Sequence, residues 1–214
     1  MANTSELHPA CCTEEEVGVL FSEEASPLTE QEAAVADHFA AIMRLLGLDL
    51  TDPSLRDTPA RVAKMYVREL FRGLDPANAP TVRLFPNTYS YGQMVVQKGI
   101  RVRSVCEHHF VPIIGVAHVA YIPRDFVIGL SKLNRIVDYF ARRPQLQERL
   151  TQQVADFLQD KLQTPDVAVV IDAKHYCIAL RGIQDDASRT LTYVLSGAFE
   201  QDPVRERFFR MIGL

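Results

Sequence analysis

The sequence predicts an α+β fold: a four-stranded antiparallel sheet with helices on one face, preceded by an N-terminal helical region. Three observations predict it. Apolar residues recur at helical spacing through residues 28–76, the period switches to two from Met94, and two helical stripes separate one pair of strand patterns from a second pair. The resulting order is ααββααββα, with no internal repeat.

In chain order, residues 1–27 are Glu-rich and read as an acidic flexible arm, in which Cys11 and Cys12 are incidental. Residues 28–76 form the helical region. Thr29 caps its first helix, with Glu32 completing a capping box. Val35, Phe39, Ile42, Met43 and Leu46 supply one stripe, and Gly47 ends it. The stretch "DTPARVAKMYVRELFRG" is a second helix with Thr58 as cap, Pro59 in the first turn and Gly73 as stop.

A loop rich in Pro and Asn leads to residues 90–214, the main domain, which packs with 28–76 as one compact unit. On its first strand Ile100, Val102, Ser104 and Cys106 share a face, with Arg101, Arg103 and Val105 on the other. "GVAHVAYIP" is the next strand, antiparallel because the connection is short. A helix from Ser131 buries Leu133, Ile136, Val137 and Phe140. Another, from Pro144, buries Leu146, Leu150, Val154, Phe157 and Leu158. "DVAVVIDAKHYCIAL" and "SRTLTYVLSGAF" are two more strands, and "DPVRERFFRMI" is a closing helix.

Composition sets bounds on function. No apolar tract is long enough to span a membrane, and the N-terminus lacks a basic segment followed by an apolar run. Four scattered cysteines do not make a disulfide framework, so a cytoplasmic protein is expected, with cysteine used for metal or catalysis. The net charge of −4 hides an asymmetry. Residues 1–43 hold nine acidic and no basic residues, so residues 44–214 carry all 23 basic residues against 18 acidic ones, a net of +5. Local basic clusters can attract a small polyanion, but nucleic acid and membrane are not expected partners.

The chemistry concentrates in "SVCEHHFVPIIG" and "KHYCIALRG". Cys106 and His109, three apart, can turn onto one ion. About 70 residues on, His175 and Cys177 alternate on a strand and face the same side. One Cys from each segment plus one His makes a Cys₂His set, which leaves a fourth tetrahedral position open, as in catalytic zinc sites. The alternative is buried thiols and satisfied histidines. The spare histidines, His108 and His175, suit proton transfer near neutrality; His118 and His38 fit ordinary packing or surface roles. Ser131 would cap a helix with Lys132 in its first turn and Arg135 one turn on, beside free N–H groups that suit phosphate. Arg181 and Arg61 are further cations. Spacing alone does not separate this from a solvated face. Gln147 and Glu148 begin the next helix; a carboxylate there could read guanine, and a surface pair would look the same.

Taken together, "SVCEHHFVPIIG", "AYIPRDFVIGLSKLNRIV", "FARRPQLQERLTQQV", "KHYCIALRG" and "SRTLTYVLSGAF" resemble the GTP cyclohydrolase I family, from about residue 30 to the C-terminus. The resemblance implies the tunnelling fold (T-fold), sheets joined into a pentameric barrel, and a homodecamer of two stacked barrels with sites between neighbouring subunits. It implies one zinc ion per subunit on Cys106, His109 and Cys177, with His108 and His175 as catalytic residues. It further implies triphosphate contacts from Lys132, Arg135, Arg181 and Arg61, with Ser131 in addition, and guanine recognition by Gln147 and Glu148. The substrate would be GTP, opened at its imidazole ring with loss of formate and rearranged to 7,8-dihydroneopterin triphosphate on the way to folate. Two residues depart from the family pattern: Tyr193, where a small hydroxyl residue is usual, and Ser196, where an apolar residue is expected. The competing readings are a related enzyme with a low-pKa cysteine nucleophile and no metal, and a non-catalytic assembly stabilised by zinc.

Overall fold

The computed structural model describes residues 27–214, so the expected acidic arm with Cys11 and Cys12 lies almost wholly outside the described residues. Two compact units divide between Ala60 and Arg61. In the first, helix α1 (Glu30–Leu45) starts as the sequence dictates. Thr29 Oγ1 accepts the Glu32 N–H at 3.2 Å, and the Glu32 carboxylate accepts the Thr29 N–H at 2.8 Å. The inward stripe differs from the expected one. Glu32, Ala36, Ala40 and Met43 are buried, whereas Ile42 is 48% and Leu46 73% exposed. Met43 of the expected stripe is buried and Val35 and Phe39 are half-buried, while Ala36 and Ala40 take the inward positions beside them and Ile42 and Leu46 point out.

Helix α2 (Thr58–Lys64) begins with Thr58 inside its first turn and runs directly into a π-helical turn, Met65–Leu70. In the second unit the π-helical turn stops at Leu70, short of the expected Gly73, which lies in a 3₁₀ turn (Arg72–Leu74) and is needed there for a close approach. A Cβ on Gly73 would lie 2.2 Å from the Tyr139 carbonyl oxygen and 2.7 Å from that of Arg142, whose oxygen accepts the Gly73 N–H at 2.8 Å.

The main sheet has five strands in the order β5-β2-β3-β6-β7. Its body is the antiparallel four: β2 (Val95–Cys106), β3 (Pro112–Tyr121), β6 (Val167–His175) and β7 (Thr190–Leu195). Two additions are too short for periodicity to reveal. β1 (Leu84–Pro86) pairs with β4 (Phe126–Ile128) as a separate ribbon, and β5 (Pro144–Gln145) runs parallel to the end of β2. That pairing takes Pro144 and Leu146 out of the expected helix, and Leu146 is 37% exposed. A register shift in β2 between Gln97 and Ile100 coincides with Gly99 at φ +73, a bulge that glycine accommodates without strain.

Helices α3 (Leu130–Ala141) and α4 (Gln147–Leu162) cover one face. α3 buries Leu133, Ile136, Val137 and Ala141, and α4 buries Leu150, Val154, Ala155, Leu158 and Leu162. Both sets pack on the inward residues Ile100, Val102, Ala117, Val119, Val169 and Ile171 of the sheet. Each large aliphatic buried this way contributes roughly 1.5–3 kcal/mol. Alternate residues Ala120, Ala168 and Val170 form a smaller core on the other face with Phe199, Phe208 and Ile212, so the closing helix α6 (Asp202–Ile212) adds a second layer there. A one-turn helix α5 (Tyr176–Ala179) follows β6 directly. No helix among the described residues is long and apolar enough to cross a membrane.

His118 sits on β3 with its Nδ1 buried and without a partner among the described residues. Burial pushes its pKa below the ordinary 6.5, Lys98 pushes the same way, and Asp172 opposes them. The unfolded chain therefore binds this proton more readily. Stability from His118 is complete above pH 6.5 and is lost as pH falls through the folded-state value. The urea midpoint of the parent should drop between pH 8 and about pH 5.5, and His118→Gln should drop measurably less. Equal losses would clear His118 of any part.

Candidate metal centre

The register explains how residues far apart in sequence meet. Ser104 lies opposite Ile113, and Ile113 opposite His175, so the loop after Cys106 and the turn after His175 leave the same end of the sheet. There the Cys106 Sγ, one His109 ring nitrogen and the Cys177 Sγ all lie within 4.8 Å of one another. Cys177 reaches this point from α5 and not, as expected, from a strand shared with His175. The switch from strand to helical turn at Tyr176 replaces the alternation rule and still turns the thiol inward.

The donor set suits a cation. Zinc–sulfur bonds of about 2.3 Å and zinc–nitrogen bonds of about 2.0 Å place tetrahedral ligand atoms roughly 3.5–3.8 Å apart. Small side-chain rotations close the observed spread to that size. Arg181 Nη1 donates to His109 Nε2 at 3.0 Å. An arginine only donates, so the guanidinium engages the Nε2 lone pair and must give way if a metal is to bind at that nitrogen. Burial and the neighbouring Cys106 push the Cys177 thiol above its usual range.

His108 Nδ1 stands 3.9 Å from the Cys106 Sγ, and its Nε2 is 3.8 Å from the Glu107 carboxylate, which is itself ion-paired with Arg149 on α4. His175 is tied differently. Its Nε2 is 2.7 Å from Gln147 Oε1, while Gln147 Nε2 donates to the carbonyls of Ile171 at 3.0 Å and Thr190 at 2.9 Å, and reaches Thr192 Oγ1 at 3.1 Å. Two carbonyl acceptors fix which way the amide points, so His175 Nε2 must carry the hydrogen and Nδ1 keeps a lone pair. Burial pushes His175 below the usual histidine range, and the nearby Glu148 charge partly offsets this.

These bonds correct one expectation. Gln147 is 1% exposed with its side-chain amide fully engaged, so that side chain is committed to His175 and the sheet and not to a guanine. Its isolation from solvent depends on acceptors in β6 and β7 that sequence reading could not place. Glu148, the next residue, is exposed. Ser131 is corrected as well. Gly129 is the N-cap of α3, no side chain caps the helix, and Ser131 lies exposed within the first turn, because β4 runs straight into the helix. Lys132 is half-buried on that turn. Arg135 lines an open cleft of about 560 Å³ with Arg72, Asn78, Thr81 and Asp138, a cleft to which the Cys/His group does not contribute. Arg61 is exposed on α2. Sequence reasoning missed Glu107 and Arg149, though a carboxylate inside "CEHH" was a visible signal.

The family sequence described as GTP cyclohydrolase I matches residues 35–213. The chain belongs to the GTP cyclohydrolase I family. It is 51% identical over 194 residues to a GTP cyclohydrolase 1 of Flavobacterium johnsoniae, covering 90% of this chain and 87% of that protein. It is 53% identical over 183 residues to a GTP cyclohydrolase 1 of Salmonella gallinarum, covering 85% and 82% respectively. The two departures from the GTP cyclohydrolase I pattern have local explanations. Tyr193 meets Phe209 of α6 edge-on at 6.1 Å. Ser196 Oγ bonds the Pro165 and Val167 carbonyls at 2.7 and 2.8 Å and accepts from Gln159 Nε2 at 2.8 Å, so its hydroxyl is satisfied.

Proposed function

We propose that this GTP cyclohydrolase I holds zinc on Cys106, His109 and Cys177 and uses His108 and His175 for proton transfer. The reaction takes GTP and water to formate and 7,8-dihydroneopterin triphosphate, the first step towards tetrahydrofolate. The observation that carries the site assignment is the convergence of two thiols and one imidazole within 4.8 Å from segments about 70 residues apart.

Zinc held there would supply Lewis acidity toward a water at neutral pH, the chemistry that opening guanine at C8 calls for. The remaining work falls to side chains. His175, with Nε2–H committed to Gln147, presents the Nδ1 lone pair and exchanges a proton at that atom. His108, beside Cys106 and steered by Glu107, is the second carrier. Glu148 can accept the N–H donors of a guanine edge. Arg181, Lys132, Arg135 and Arg61, with Ser131 nearby, supply cations and donors for the triphosphate.

The sheet supports an assembly. Among the described residues β7 is an edge strand, and β2 pairs with β5 only at Val105 and Cys106, so most of its outer side is open. Two such edges on an antiparallel sheet can join copies into a closed ring, here a pentamer stacked in pairs to a homodecamer. Free thiols at the centre suit the reducing cytoplasm.

Turnover of GTP by metal-loaded protein, followed by pterin fluorescence and formate release, tests the activity. Light scattering should give the mass of ten 24.1 kDa chains. Intact GTP after incubation with zinc-loaded protein would overturn the assignment.

A further inference from the structure

The loop that carries His109 is held in a conformation its sequence resists. Phe110 has φ +55, in the left-handed region that glycine and asparagine enter readily and bulky residues avoid. The loop closes there: the Phe110 N–H donates to the Cys106 carbonyl at 2.9 Å, and the Cys106 N–H to the Val111 carbonyl at 2.8 Å. Burial alone does not account for an aromatic residue at this position, since Phe110 is 49% exposed.

The contacts of its ring do. Phe110 meets Phe71 edge-on at 5.4 Å and Tyr66 at 6.4 Å, and Tyr66 and Phe71 lie 5.2 Å apart. Residues five apart on an α-helix point about 140° away from each other. The π-helical turn, closed by the Phe71 N–H to the Tyr66 carbonyl at 2.8 Å, widens the helix and brings both rings to one side. Two local departures from regular backbone, one on each segment, therefore meet in one aromatic cluster beside His109.

We propose that Phe110 is a positioning residue for the metal centre. Its ring, seated against Tyr66 and Phe71, fixes the loop from Cys106 to Val111 so that His109 faces Cys106 and Cys177. This rests on the reading of those three residues as metal ligands.

The test measures zinc and cobalt affinity of the full chain by competition with a chromogenic chelator, with melting midpoints to confirm folding. Phe110→Ala should weaken binding by about 10–100-fold, the range for groups that orient ligands from outside the coordination sphere. Phe110→Gly should weaken it too, because it relieves the backbone yet still lacks the ring. Phe110→Tyr should stay within about threefold of the parent. Phe71→Leu, which leaves the loop sequence intact, should also weaken binding and should distort the visible cobalt spectrum. Parent-like affinity in folded Phe110→Ala and Phe71→Leu overturns the proposal and leaves the ligand set standing. If Cys106→Ser binds metal as tightly as the parent, the ligand reading falls and the proposal falls with it.

Discussion

Cys177→Ala should abolish metal binding and reduce GTP turnover by about a thousandfold or more, because activation of water at neutral pH depends on the bound ion. The chain offers only three convergent donors among the described residues: Cys106, His109 and Cys177. Removing one leaves a thiol and an imidazole, too few for a stable tetrahedral site with an open position. Metal analysis after gel filtration should fall from one zinc per chain to background. The fold should persist, since Cys177 lies on a short turn at the end of the sheet and is only partly buried. Full zinc content in the folded variant would show that the ion binds elsewhere.

His175→Ala should behave differently: zinc retained, turnover lowered by about 10²–10⁴-fold, the usual contribution of a positioned acid–base group. The reason lies in how completely His175 is held. Gln147 fixes Nε2 as the donor and has no rotational alternative, because its amide hydrogens are spent on carbonyls of β6 and the start of β7. Truncation leaves the Gln147 oxygen without its partner and removes the Nδ1 lone pair from the centre. Gln147→Leu should then lower turnover less than His175→Ala while preserving metal. In ¹⁵N spectra of the imidazole it should abolish the single Nε2–H tautomer. A zinc-loaded His175→Ala enzyme with parent turnover would leave His108 as the sole proton carrier.

Sequence reading reached whatever is local. The Thr29/Glu32 capping box follows from four adjacent residues, and the long strands and amphipathic helices follow from periods of two and 3.6. The convergent Cys/His group was legible because Cys106 and His109 share one turn and Cys177 is the partner a Cys₂His set requires. What escaped depends on three-dimensional neighbours. The two-residue strand β5 exists because β2 lies beside it. Glycine at position 73 answers to the end of α3, and Gln147 is claimed by acceptors from three different positions of β6 and β7. Helix α1 shows the same limit: Met43 of the expected stripe is buried, but Ile42 and Leu46 face out and Ala36 and Ala40 share the inward face.

The uncovered margins of the sheet also bear on how the protein fails. Backbone N–H and C=O groups along β7, and along most of β2, have no strand partner among the described residues, and such open margins make a chain adhesive. Overproduction should therefore carry the hazard of insoluble strand-to-strand stacking. Substitutions at these margins should appear first as lost yield in the supernatant, well before any change in the rate of the molecules that remain dissolved.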